Sequence, residues 1–250
     1  CAQWATGFAA SDKEAVGIIV NHDTLETQKK YSEQSREPIT GVVPLTATGK
    51  LRFVVDRESG GLRFARSIDA KPPMTIGVGE EGFASVVGAG VPRTVWPGAE
   101  ERRITEPRVA RVDDVGFLVT FRRGAQTGEV VAGWLGLDGS RKSPLAPVPT
   151  SRKLIGTPVV GANDREVLVA FSARQSDNAY WGLQVATAAH NEVPKRARPF
   201  SIPPGGLGAE AISPAVAGLS GGRWLLQWTE GSTGDRQVRL QTLGSDLIAV

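Results

Sequence analysis

The sequence predicts an all-β chain assembled from repeated small antiparallel sheets. Three observations predict it. The apolar segments are short and divided by polar turns, in a 250-residue chain with 30 glycines and 16 prolines. One order of segments recurs: a proline, a short β-branched run, a polar turn, a dense apolar run, a polar loop and a second apolar run. Only residues 23–35, "DTLETQKKYSEQS", suit a helix, and they are polar almost all round, which reads as a long exposed loop.

The repeat is clearest in three copies. Pro107 leads to Phe117 in "GFLVTF", Pro158 to Leu168 in "VLVAF" and Pro214 to Trp224 in "RWLLQW". Weaker copies run from Pro44 to Phe53 and from Pro73 to Phe83. Successive anchors lie 29, 34, 51 and 56 residues apart. A sixth unit has lost its first strand: "TGFAASD" (6–12) fits the second slot and "AVGIIVN" (15–21) the third. The candidate units are therefore 1–43, 44–72, 73–106, 107–157, 158–213 and 214–250, within one domain.

Each unit has the makings of a meander. Strand A follows the proline, whose missing N–H costs no ladder bond at a strand start. Strand B ("FLVTF", "VLVAF", "WLLQW") is apolar at nearly every position, the pattern of a strand covered on both faces. Strand C alternates, as Val238 and Leu240 do with Arg239 and Gln241. The A–B links are short ("DDVG", "NDRE", "LSGG") and the B–C loops longer and polar. A fourth strand falls at "SPLAPVP" (143–149) and "RPFSIPP" (198–204), where proline confines it to an outer edge. Phe117, Leu168 and Trp224 share one slot and are expected in the core. "SDLIAV" (245–250) is expected to pair as a strand, within the last unit or as the missing strand of the first.

A small sheet cannot bury both its faces alone, whereas sheets stacked around an axis can, and they leave only short edges. These features predict a β-propeller of about six blades with three or four strands each. Five or seven blades, or a two-sheet sandwich, are the alternatives. The pattern "P-x-V-A … F-L-V-x-W … V-x-x-L" resembles the blade repeats, about 50 residues long, of secreted bacterial β-propeller proteins. The resemblance is strong from Pro107 onward and weak before it.

Composition bounds the function. Charged residues make up 22 % of the chain and the net charge is only +3, with no concentrated basic tract. Nucleic acid is therefore not expected as a partner. "PKRARP" (194–199) reads as a solvated loop. The single cysteine, Cys1, excludes an internal disulfide. Cys1 has two readings, the lipid anchor of a mature lipoprotein or a domain boundary; "QWATGFAASD" follows at once and favours the boundary. No apolar run approaches a membrane span.

Catalytic and cofactor motifs are missing. "SDNAYWG" (176–182) lacks the spacing and glycine of a sialidase Asp-box. Glu58, Asp113, Asp177 and Glu230 are loop carboxylates of the kind a glycosidase pairs, but ordinary composition would supply them too. His22 and His190 lack metal-ligand spacing, and "NHD" (21–23) with Glu26 reads as a polar loop. No phosphate cradle or nucleophile elbow is present, so no cofactor or metal is expected. Trp134, Trp181, Trp224 and Trp228 lie in strand patterns, which makes core packing their default.

The expectation is a non-catalytic binding or scaffolding propeller outside the cytoplasm, recognising a protein or glycan. The alternative is a degenerate glycan hydrolase with carboxylates at the axis. The resemblance implies binding on the face that carries the B–C loops. That face would present Arg57, Glu58, Arg122, Arg123, Arg174, Asp177, Glu230 and Asp235, a set of mixed sign.

Overall fold

In the computed structural model, the residues described before Ile104 are the strand segments 4–10, 15–21, 40–44, 50–54, 64–66, 74–79, 82–87 and 93–97. From Ile104 to Ala249 every residue is described except 125–126, 203–209 and 233–234. The chain divides into two compact units, residues 1–107 with 138–140, and residues 108–137 with 141–250.

The first unit carries three antiparallel sheets. Strand β1 (Trp4–Ala10) pairs with β2 (Ala15–Asn21), as the two strand-like runs at 6–12 and 15–21 suggest. Strand β3 (Thr40–Pro44) pairs with β4 (Lys50–Val54). The third sheet runs β5 (Phe64–Arg66), β6 (Met74–Gly79), β7 (Gly82–Val87) and β8 (Arg93–Pro97) in order. Met74, Ile76, Val95 and Trp96 are buried in it. The loop expected at 23–35 lies outside the described residues.

The second unit holds the three strong repeats. The first sheet is β9 (Ile104–Val112), β10 (Gly116–Arg123), β11 (Glu129–Leu135) and β12 (Ala146–Pro147), in the order β12-β11-β10-β9. In the second, β13 (Leu154–Ile155) and β14 (Val159–Ala162) both pair with β15 (Glu166–Arg174); β16 (Gly182–Ala189) and β17 (Arg198–Pro199) follow. The third is β18 (Ala211–Leu219), β19 (Arg223–Ser232) and β20 (Asp235–Leu243). The fourth strands are two-residue pieces, β12 and β17, at the outer edge where the prolines put them. Helix among the described residues is one 3-10 turn, Ser220–Gly222.

Stacking of these sheets follows from strand B. Val167, Val169, Phe171 and Ala173 project from one face of β15 into a core shared with Leu118, Val130, Ala132 and Trp134. Leu168 and Ala170 project from the other face into a core with Trp224, Leu226, Trp228 and Leu243. The middle sheet is thus buried on both faces, and three sheets lie one on the next, which a two-sheet sandwich does not do. The inner strands approach closely. A Cβ on Gly218 of β18 would lie 1.7 Å from the Ala162 carbonyl oxygen of β14. The fold is all-β, a succession of antiparallel blades of the propeller class.

Four expectations need correction. Pro214 does not open its strand: β18 starts at Ala211, and Pro214 sits in the register shift between Ile212 and Ala215, where a bulge tolerates its missing donor. Phe117, Leu168 and Trp224 are all buried, but Leu168 faces the following sheet while Trp224 faces the preceding one. The position in β15 that faces the preceding sheet is Val167, because side chains alternate along a strand. Strand β19 is buried on one face only, with Gln227 exposed between Leu226 and Trp228. Finally, "SDLIAV" forms no full strand. It turns back on β20 through one bridge, Leu243 to Ala249, and sends Leu247 into the core.

Candidate functional site

Strands β10, β15 and β19 end on one rim of the second unit, where the B–C loops begin. The link from β12 to β13 reaches the same rim. There Lys153 donates its backbone N–H to the Arg174 carbonyl (3.2 Å), and Leu154 and Ile155 pair with Arg174 and Ala173. Of the eight site residues expected, Arg57 and Glu58 lie outside the described residues. The other six fall at this rim, five at strand ends and Asp177 in the loop after β15.

The rim is organised around Arg174. Its Nη1 donates to the Asp177 carbonyl oxygen at 2.6 Å and its Nη2 to Asp177 Oδ1 at 3.2 Å. The guanidinium lies 4.7 Å from the centre of the Trp181 ring, a cation–π stack. Trp181 is therefore a half-buried loop residue, not the strand-core residue its sequence context suggests; β16 starts one residue later. Its neighbour Tyr180 is 72 % exposed. The Trp181 carbonyl accepts the Ala211 N–H at 2.8 Å, which ties this loop to the start of β18.

Three further acids are also paired. Arg123 donates to Glu129 Oε1, its Nε at 3.0 Å. Glu230 is only 2 % exposed; its Oε2 accepts Trp228 Nε1 at 3.2 Å and lies 3.6 Å from Arg239 Nε. Burial of a carboxylate is sustained by such partners. Glu210, which the sequence did not single out, pairs with Arg236 at 3.2 Å. Asp235 is exposed at the start of β20. Arg122 donates Nη1 to the Ile155 carbonyl at 3.2 Å, while its Nε is buried without a partner.

The opposite rim, made by the A–B turns, is a set of structural ties. Asn163 Oδ1 accepts the Arg165 and Glu166 N–H groups, which fixes its turn. Asp164 accepts the Gly222 N–H at 2.7 Å and the Gly221 N–H at 3.1 Å. Those hydrogen bonds, Gly222's foremost, hold its carboxyl below the ordinary value against the opposing effect of desolvation. His190 Nε2 lies 3.1 Å from the Asn163 carbonyl oxygen, the setting of a polar turn histidine. Among the described residues no three potential ligands gather as a metal site. Cys1 and His22 lie outside them. No described helix is long and apolar enough to cross a membrane.

No protein-family model matches the chain, and no curated protein matches it. Among solved structures, the catalytic domain of the Coprinopsis cinerea GH62 α-L-arabinofuranosidase is similar at 11 % identity and a TM-score of 0.47, over 95 % of this chain and 89 % of that one. An endo-1,4-β-xylanase from Bacteroides thetaiotaomicron reaches 16 % identity and a TM-score of 0.43, over 95 % and 84 %. A GH43 endo-arabinanase from Bacillus licheniformis gives 9 % and 0.42, over 96 % and 88 %. At this level no residue role transfers to this chain.

Proposed function

We propose that the chain is a glycan-binding module working outside the cytoplasm through the B–C rim of its blades. The observation that carries this reading is the pair Tyr180 and Trp181. Tyr180 is 72 % exposed, and the adjacent indole is held under the Arg174 guanidinium at 4.7 Å. A rigid, amphipathic aromatic at a loop is a surface on which the C–H face of a sugar ring stacks, with its polar tip left for hydroxyls. The state of the acids favours binding over hydrolysis at this rim. A glycosidase needs two carboxylates free to face the scissile bond. Here Glu129, Asp177, Glu210 and Glu230 each have an arginine beside them, and of the described site acids Asp235 alone has none. Hydrolysis of a glycan is the second reading, and it is the class shared by the glycoside hydrolases named above.

The test is affinity electrophoresis and titration calorimetry against arabinan, xylan and polygalacturonate, with reducing ends assayed in parallel. Binding that Tyr180→Ala and Trp181→Ala each reduce roughly tenfold supports the module. Release of reducing ends would replace it with the hydrolase reading. Absence of binding to all three polymers, or binding indifferent to both substitutions, overturns the proposed site.

A further inference from the structure

The sequence offers this rim as a set of mixed sign. In the fold Asp235 stays exposed at the start of β20, and two other acids lie against arginines. Asp177 is consumed by Arg174 and Glu129 by Arg123. Among the described residues, three cations around strand β13 have no ion-pair partner: Arg122, Arg152 and Lys153. Arg122 Nη1 grips the Ile155 carbonyl at 3.2 Å, and Arg152 and Lys153 immediately precede β13. Lys153 is exposed, and Arg122 and Arg152 are half-buried. The Nε groups of both arginines are buried without a hydrogen-bond partner. Both guanidinium groups are therefore partly withdrawn from water. A partly desolvated guanidinium also attracts an anion more strongly than a fully hydrated one does.

We propose that this site selects acidic glycans, with uronate carboxylates seated on Arg122, Arg152 and Lys153. The inference rests on the glycan-binding reading and names the ligand class for it. The guanidinium fork matches a planar carboxylate in geometry as well as charge. Three free cations fall short of the roughly 6–10 phosphate contacts on which nucleic-acid affinity commonly rests. The exposed Tyr180 on the neighbouring loop supplies the sugar-stacking surface that a bare anion would not use.

The experiment compares, by calorimetry on the whole chain, an oligogalacturonate, a neutral xylo-oligosaccharide of equal length and a single-stranded oligonucleotide of equal charge. The oligogalacturonate is expected to bind at least about tenfold more tightly than the neutral oligomer. That preference should collapse in Arg122→Gln/Arg152→Gln, with residual neutral binding unchanged. Lys153→Gln, at an exposed position, serves as a second variant and should cut the preference without altering the melting curve. Equal affinity for the acidic and neutral oligomers overturns the acidic selection while leaving glycan binding in place. Equal affinity for the oligonucleotide overturns it in favour of a general polyanion site. If no oligosaccharide binds at all, the glycan reading fails and this inference with it.

Discussion

Asp164 shows how one side chain ties two blades. It projects from the β14–β15 turn and accepts hydrogen bonds from Gly221 and Gly222, which both have φ of 73°. Consecutive glycines in that region aim both N–H groups at one anion. The bonds hold the folded-state carboxyl below its ordinary value, so the tie is complete above about pH 4 and fades as the pH falls through the lowered value. Asp164→Asn should lower the melting temperature at pH 7 and flatten the acid limb of the stability profile. An acid limb that matches the unsubstituted chain would show that Asp164 does not contribute. The core tryptophans make a second residue-scale contrast. Trp224 Nε1 is buried without a partner, whereas Trp228 Nε1 donates to the buried Glu230. Trp224→Phe should therefore destabilise less than Trp228→Phe, which leaves a buried carboxylate short of a donor at about 1–3 kcal/mol. Equal losses in chemical denaturation would refute that ordering. Burial of Trp224 and Trp228 was legible in the sequence because both sit in an apolar strand. The place of Trp181 was not, because Arg174 and the Ala211 N–H hold it from outside its own strand. Which charges pair at the rim was not legible for the same reason: sequence lists acids and bases, and only the fold pairs them.

At the scale of elements, the meander order was legible because turn chemistry and strand composition are local. The polar A–B links became tight turns, with positive φ at Asp114 and Gly116, and proline kept β12 and β17 short and outermost. Register was not legible. An offset counted from a proline does not reveal a bulge, and a shift of one residue exchanges the two faces of a strand. That is why Leu168 faces the following sheet while Trp224 faces the preceding one. The signature of stacking lies instead in small residues on the inner strands. A Cβ at Gly218 would meet the Ala162 carbonyl oxygen at 1.7 Å, and one at Gly161 would meet Val216 Cγ1 at 3.1 Å and its carbonyl oxygen at 3.2 Å. Gly218→Ala forces two backbones apart and should cost about 1–3 kcal/mol. Gly182→Ala is the control, since nothing lies within 4 Å of its added methyl. If calorimetry found the two variants equally stable, the inner strands would not be packed as described.

At the scale of the whole molecule, the middle blade of the second unit has apolar neighbours on both faces, and the last blade packs one face against it. Val238 and Leu240 on β20 are 66 % and 61 % exposed. The core between these two blades depends on Trp224, Leu226, Trp228 and Leu243 from the last one, and Leu247 adds to it. Leu247 is buried there, and Phe200 meets Trp228 edge-on at 5.8 Å in the same cluster. Two backbone bonds and one side-chain bond hold the segment: Gly244 N–H to the Ile248 carbonyl at 2.8 Å, Leu247 N–H to the Gly244 carbonyl at 3.0 Å, and Arg198 Nη2 to the Asp246 carbonyl at 3.2 Å. Leu247 achieves its burial at a φ of 64°, a conformation that β-carbon sterics disfavour. The apolar contact must outweigh that strain for the turn to persist. Two variants separate the terms. Leu247→Gly relieves the strain and removes the side chain, and should still destabilise, because burying a leucine is worth about 2–5 kcal/mol against roughly 1–2 kcal/mol of strain. Removing residues 246–250 takes away the ties as well and should lower the melting temperature further. It also exposes Phe200 and the end of β20, so light scattering should register self-association on heating. A truncated chain that melts where the full chain does would mean that the last turn lies on the core without contributing to it.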